Sequence, residues 1–201
     1  MDGTTLQRSL RAMGHAVRSP GDALRWITYS RSTAIESRLP WVSWPAIRFF
    51  RKSLASGDVV LEWGAGGSTL FFLDNGCRVT TIESSSEWLE TVRASVSSTQ
   101  MNRWNPILVS EPDEYVFARC RIGQVDLIMV DGLSELRVEC VRLSTAGKLP
   151  RCIVVDDSWR HEYAAIPDLL GTLERTELRG FGPGRIGVTQ TDVYVQTAIF
   201  F

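Results

Sequence analysis

Five short apolar runs alternate with helix-like segments from residue 57 onward, and that alternation leaves few folds open. The runs are Asp58–Glu62, Arg78–Glu83, Ile107–Val109, Val125–Asp131 and Cys152–Asp156. They are the length of buried strands, and the second is rich in β-branched residues. Ser68–Asp74, Ser85–Val96, Ser134–Thr145 and Glu162–Leu173 read as the intervening helices, with Asn75-Gly76 stopping the first. Strands and helices in this order make βαβ units, hence a parallel sheet. The tail departs from the rule. Thr176–Arg179 and Asp192–Ile199 flank Gly180-Phe181-Gly182-Pro183-Gly184 with nothing helical between them, which predicts an antiparallel hairpin at the sheet edge.

Residues 1–56 read differently, as helices broken by turns. Leu6, Leu10, Met13 and Val17 recur at helical spacing before Ser19-Pro20-Gly21-Asp22. Leu39–Pro45 is a rigid aromatic connector into a helix at Ala46–Ser53. The expected organisation is a helical extension over 1–56, covering the substrate, and one compact unit over 57–201. Charge divides at nearly the same place: residues 1–52 carry nine Arg/Lys against three acids, while the whole chain is at −1. The near-zero total argues against nucleic acid as a partner. The basic front segment suits an acidic acceptor, a membrane surface or a solvated helical face, and a homodimer through this segment is also open. Cys77, Cys120, Cys140 and Cys152 lack metal-ligand spacing and read as reduced thiols. No membrane span or signal-peptide pattern is evident, so the expected location is cytoplasmic.

The strongest local signal is Leu61-Glu62-Trp63-Gly64-Ala65-Gly66-Gly67-Ser68-Thr69, a strand entering a glycine turn and then a helix. Glycines let backbone approach a ligand, and the helix start offers free N–H groups. Glu83 follows at the end of the next strand, where a carboxylate can accept hydrogen bonds from both hydroxyls of a ribose. Together they point to an adenosine-containing cofactor; the plainer alternative is a tight turn and a solvated glutamate. Thr69 stands where a dinucleotide fingerprint wants a third glycine or alanine, and Glu62 would repel a pyrophosphate. A cationic sulfonium with no phosphates, S-adenosylmethionine (SAM), suits these acids better.

These residues resemble the class I SAM-dependent methyltransferase family. Glu62-x-Gly64-x-Gly66-Gly67 is similar to its first motif and Glu83 to its ribose-binding acid. The resemblance implies a Rossmann-like α/β fold with helices on both faces of the sheet. It implies cofactor contacts from Glu62, Gly64, Ala65, Gly66, Ser68, Glu83 and Ser84, from Ser110-Glu111 near adenine, and from Asp131 between cofactor and substrate. A narrower resemblance is to the metal-dependent catechol and caffeoyl-CoA-type O-methyltransferases. It implies Mg²⁺ on Asp131, Asp156 and Asp157, where hard oxygen ligands would lower the pKa of a bound hydroxyl. The lysine expected three residues after Asp131 is Ser134 here. Asp156 and Asp157 also read as caps of the next helix or as substrate-orienting groups.

His161 stands near the strand ends as a general base or as an ordinary surface histidine. Asp131 and Asp157 are the other catalytic candidates. Trp63 and Trp88 are expected around the cofactor, with Trp41, Trp44 and Trp159 toward the acceptor, although aromatics more often serve the core. The chain has no Asn/Asp-Pro-Pro-aromatic run and no Pro-Cys pair, which argues against nucleobase methylation by those routes. The expected function is methyl transfer from SAM to an oxygen or nitrogen of a small molecule. The rivals are a silent SAM-binding regulatory subunit and an NAD-linked oxidoreductase.

Overall fold

The computed structural model describes residues 12–185 and 187–196. Residues 12–18 are helical and lead into α1 (Pro20–Tyr29), α2 (Ala34–Ser37) and α3 (Trp44–Ser53). The alternating body follows: β1 (Val59–Trp63), α4 (Gly67–Asp74), β2 (Arg78–Glu83), α5 (Ser86–Arg93), α6 (Ser98–Met101) and β3 (Trp104–Leu108). Then come α7 (Pro112–Phe117), β4 (Leu127–Val130), α8 (Arg137–Ser144), β5 (Cys152–Asp156), α9 (Ile166–Leu169), β6 (Glu174–Phe181) and β7 (Val188–Val195). Leu6 and Leu10 of the first helical stripe, and residues 197–199 of the last expected strand, lie outside the described residues.

One seven-stranded sheet runs in the order β3-β2-β1-β4-β5-β7-β6. The first five strands are mutually parallel, and β7 is antiparallel to both β5 and β6. The hairpin therefore closes one edge, with its second strand tucked inside. Between β1 and β4 the chain reverses its direction of travel across the sheet, and open α/β sheets bind ligands at that point.

Both faces of the sheet are apolar because alternate side chains on each strand point opposite ways. Val60, Leu127, Met129, Cys152 and Val154 pack with Ile47, Phe50, Leu70 and Phe72 on one side. Leu61, Trp63, Ile128, Val130, Ile153 and Val155 pack with Tyr115, Cys140, Val141 and Ile166 on the other. Residues 39–50 share the first of these cores through Leu39, Val42, Trp44, Ala46, Ile47 and Phe50. Trp44 is buried there, against Tyr29, and not toward an acceptor.

Several elements differ from the sequence expectation: β3 begins at Trp104 and not Ile107, and a short α6 precedes it. The Glu162–Leu173 stretch makes a 3-10 turn at His161–Tyr163 and a short α9, with Pro167 in its first turn. A proline there lacks the N–H that would continue a helix begun earlier. The Ser134–Thr145 stretch likewise opens as a 3-10 turn, Ser134–Leu136, before α8. Helix α7 arises in a stretch for which the sequence predicts no helix, started by Pro112 with Asp113 and Glu114 in its first turn. No described helix is long and apolar enough to cross a membrane.

Gly67, the first residue of α4, faces the turn after α2: a Cβ there would run into the carbonyl oxygen of Leu39 and come within 2.5 Å of that of Ala34. Backbone cannot yield as a side-chain tip can. Gly67→Ala is expected to cost about 1–3 kcal/mol in urea denaturation; a stability equal to wild type would show that this approach is not tight.

Candidate functional site

The glycine turn is built on a buried carboxylate. Glu62 is fully buried on β1 and accepts hydrogen bonds from Ser68 Oγ and Thr81 Oγ1, both at 2.7 Å, and from Thr69 Oγ1. These hydroxyls belong to α4 and β2, so one side chain ties three elements beneath the turn. Burial pushes the Glu62 carboxyl up to about 7 against the lowering effect of the three hydroxyls. Thr69 Oγ1 also accepts the Gly66 N–H at 3.0 Å. The residue that departs from a dinucleotide fingerprint is thus spent on holding the turn.

Above this knot the turn is clamped from the next strand. Glu83 Oε2 accepts the Ala65 N–H at 2.8 Å, and Oε1 accepts those of Ser84 and Ser85 at 2.7 and 2.9 Å. Trp88 Nε1 donates to the Ala65 carbonyl at 2.8 Å. Gly64 has φ +95, and a Cβ there would lie 3.0 Å from Gly132 Cα. The turns after β1 and β4 therefore touch, and glycine at both places is what lets them.

A cavity of about 420 Å³ opens over this contact, at the carboxyl ends of β1, β2 and β4. Gly64, Ala65, Glu83, Ser84 and Asp131 line it together. Trp88, Tyr115, Glu135, Arg137 and Arg160 are also in its wall. Trp63 stands behind it, fully buried, its Nε1 donating to the Tyr115 carbonyl at 3.0 Å.

Several expected contacts lie elsewhere. Glu62 and Ser68 are beneath the turn, bonded to each other, so Glu62 is not the exposed charge that would repel a pyrophosphate. Gly66 does not line the cavity. Ser110 and Glu111 are exposed at the start of α7 and line it no more than Gly66 does. His161 is exposed on its 3-10 turn and lines neither this cavity nor the second one described below.

The three aspartates proposed for Mg²⁺ are held by arginines instead. Arg137 Nη2 donates to Asp131 Oδ1 at 2.9 Å. Arg185 bridges the other pair, Nη1 donating to Asp157 Oδ1 at 2.6 Å and Nη2 to Asp156 Oδ2. Arg160 Nη2 reaches Asp157 Oδ2 at 2.8 Å. Among the described residues no group of three or more His, Cys, Asp or Glu is placed to hold a metal. The donor set does not fit Mg²⁺, because guanidinium groups already supply the positive charge. Nor do Asp156, at the end of β5, and Asp157 after it cap the following helix: Asp156 is fully buried and its Oδ1 accepts Thr191 Oγ1 at 2.8 Å, while Asp157 is held by Arg185, Arg160 and Thr189. Burial, then the Asp131 charge, pushes the Asp156 carboxyl up to about 8. Asp157 is lowered: burial opposes this, but Arg185 and Arg160 outweigh it.

A second cavity, about 350 Å³, lies on the far side of the Arg160–Asp157 pair. Trp41, Asp157, Trp159, Arg185, Val188 and Thr189 bound it. Of the expected glycine-rich lip, Gly184 and Arg185 line it, pinned by Arg185 Nε to the Trp41 carbonyl and by Trp26 Nε1 to the Arg185 carbonyl, both at 2.6 Å.

Sequence reasoning missed Arg137, Tyr115 and Arg185. Arg137 had a signal: a cation opening a helix opposes the dipole. Its position is explained by the carbonyls it serves, those of Asp131, Gly132 and Asp156 at 3.1, 3.2 and 2.8 Å. Tyr115 fills the space a Gly132 side chain would need, and burial pushes its hydroxyl well above the usual range.

The Glu62 carboxyl binds its proton more tightly in the folded than in the unfolded chain. Its contribution to stability is full below its ordinary value of 4.5 and lost as pH rises through about 7. Glu62→Gln lacks that loss, so wild type should lose on the order of 3 kcal/mol relative to the variant between about pH 4 and pH 8. Urea midpoints measured across this range check it; parallel pH profiles would show Glu62 titrating normally.

No protein-family model matches the chain, and no curated protein matches it. Solved structures do. Cofactor-bound Rv0187 from MTB is 20% identical with a TM-score of 0.60, over 81% of this chain and 85% of that one. Precorrin-6y C5,15-methyltransferase from Geobacter metallireducens is 12% identical with a TM-score of 0.60, over 76% and 87%. Aeropyrum pernix fibrillarin, with natively bound S-adenosyl-L-methionine, is 16% identical with a TM-score of 0.53, over 70% and 67%. The chain therefore has the Rossmann-like fold of the SAM-dependent methyltransferases.

Proposed function

We propose that the protein binds SAM in the cavity at the β1/β4 crossover and transfers its methyl group to an oxygen or nitrogen of a small molecule. The observation that carries this reading is the meeting of Gly64, Ala65, Glu83 and Asp131 around one 420 Å³ cavity. Glu83 Oε2 accepts one backbone N–H, and a carboxylate oxygen has room for a second donor, here a ribose hydroxyl. Glu83, Asp131 and Glu135 outnumber Arg137 and Arg160 in the lining, a balance that suits a sulfonium and an ammonium.

The reaction is one displacement. A lone pair of the acceptor attacks the methyl carbon, the S–CH₃ bond breaks, S-adenosylhomocysteine leaves, and the acceptor loses a proton. SAM is already activated, so the protein supplies alignment, a proton acceptor and exclusion of water. Asp131 is assigned to the reacting centre because it lines the cavity and burial raises its pKa, against the pull of Arg137 and Arg185. His161, which lines neither cavity, is not assigned the proton.

Isothermal titration with SAM and S-adenosylhomocysteine is expected to give saturable binding, weakened more than tenfold by Glu83→Ala. Absence of heat with either ligand would end the methyltransferase reading; unchanged affinity in the variant would remove the ribose assignment. Mg²⁺ titrated into the protein is expected to give no saturable heat, and EDTA to leave SAM affinity unchanged. Saturable Mg²⁺ binding lost in Asp157→Asn would restore a metal to the site.

A further inference from the structure

The second cavity combines two features that identify a ligand class. Its walls carry Trp41 and Trp159, indoles that remain 39% and 58% exposed. Large aromatic surfaces held open at a concave site offer stacking area to a flat ring. Trp41 is held in place: a Cβ on Gly184, which has φ +63, would lie 2.9 Å from its Nε1, and Arg185 Nε donates to its carbonyl.

The polar groups of this cavity have hydrogens to give and few lone pairs to offer. Arg185 has five N–H hydrogens, and its bonds to the Trp41 carbonyl, Asp157 and Asp156 leave two unspent. The indole N–H groups of Trp41 and Trp159 have no hydrogen-bond partner among the described residues. Asp157, by contrast, is engaged on both oxygens: Arg185 and Thr189 donate to Oδ1, and Arg160 to Oδ2. Arg185 pairs with Asp156 and Asp157, and Arg160 with Asp157 and, at 3.7 Å, with Glu162, so an anion entering here is met by the hydrogens still free on Arg185. A ligand here must bring acceptors, and a carboxylate is the group a guanidinium fork pairs with best.

We propose that this cavity is the acceptor site and that the acceptor is a planar aromatic ring bearing a carboxylate, stacked on Trp159 and Trp41 and paired with Arg185. Its place in methyl transfer rests on the SAM reading above. The Arg160–Asp157 pair joins the two cavities, since Arg160 lines the first and Asp157 the second. A ring on Trp159 therefore lies one ion pair from the cofactor cavity.

The test is calorimetric titration of the full chain, saturated with S-adenosylhomocysteine, with three probes. 4-Hydroxybenzoate carries ring and carboxylate, cyclohexanecarboxylate the anion without the aromatic ring, and benzylamine the ring with a cation. 4-Hydroxybenzoate is expected to bind, and the other two about tenfold more weakly or not at all. Trp159→Ala, at a position outside both hydrophobic cores, should weaken 4-hydroxybenzoate about tenfold and leave S-adenosylhomocysteine unchanged. Arg185→Gln should abolish the preference for the carboxylate. No binding of 4-hydroxybenzoate, equal binding of either control, or an indifferent Trp159→Ala variant would overturn the proposal. Binding of S-adenosylhomocysteine in the same sample separates that failure from failure of the SAM reading.

Discussion

The buried carboxylate of Glu62 is the point from which the first cavity is built. Without it, the turn after β1 would rest on α4 and β2 through apolar contacts that do not specify its shape. Three hydroxyls, Ser68, Thr69 and Thr81, converge on one side chain and hold the turn in register with both neighbours. A buried polar group left unpaired is costly, so the arrangement tolerates little alternative packing. On this base Glu83 and Trp88 grip the N–H and carbonyl of Ala65 from above. The first cavity is thus lined by an acid already oriented by backbone donors.

The second organising device is an exchange of charge at the strand ends. Three aspartates close β4 and β5, and three arginines from separate parts of the chain answer them: Arg137 opens α8, Arg160 follows β5, and Arg185 arrives on the turn between β6 and β7. A guanidinium can answer a carboxylate and still spend hydrogens on carbonyls, as Arg137 and Arg185 both do. This places fixed cations where the sequence pattern suggested Mg²⁺. It also ties the N-terminal segment to the site, because Trp26 and Trp41 hold the backbone and side chain of Arg185.

Much of this was legible from residue order, because it depends on local periodicity. The five parallel strands, the closing hairpin, the glycine turn and the acid at the end of β2 follow from apolar alternation, glycine placement and short-range spacing. Boundaries moved where local chemistry overrode the pattern, as Pro167 and Pro112 did. The roles of Glu62 and the β5 aspartates moved further. A glutamate two residues before a glycine looks like a charge beside a ligand until the hydroxyls that bury it are known, and these lie 6, 7 and 19 residues away.

What the chain order determined by itself was the layered α/β plan and the meeting of the Gly64 turn with Glu83, since adjacent βα units place successive strand ends side by side. Only the tertiary structure decided which carboxylates face a cavity and which are spent inside the protein. Arg185 is 28 residues from Asp157 and Trp41 is 144 from Arg185, and both pairs meet only because β7 inserts beside β5 and carries the preceding turn over the strand ends. Such partners share no sequence period. They are selected by the folded chain, where a buried charge must find its counter-charge wherever the topology brings one within reach.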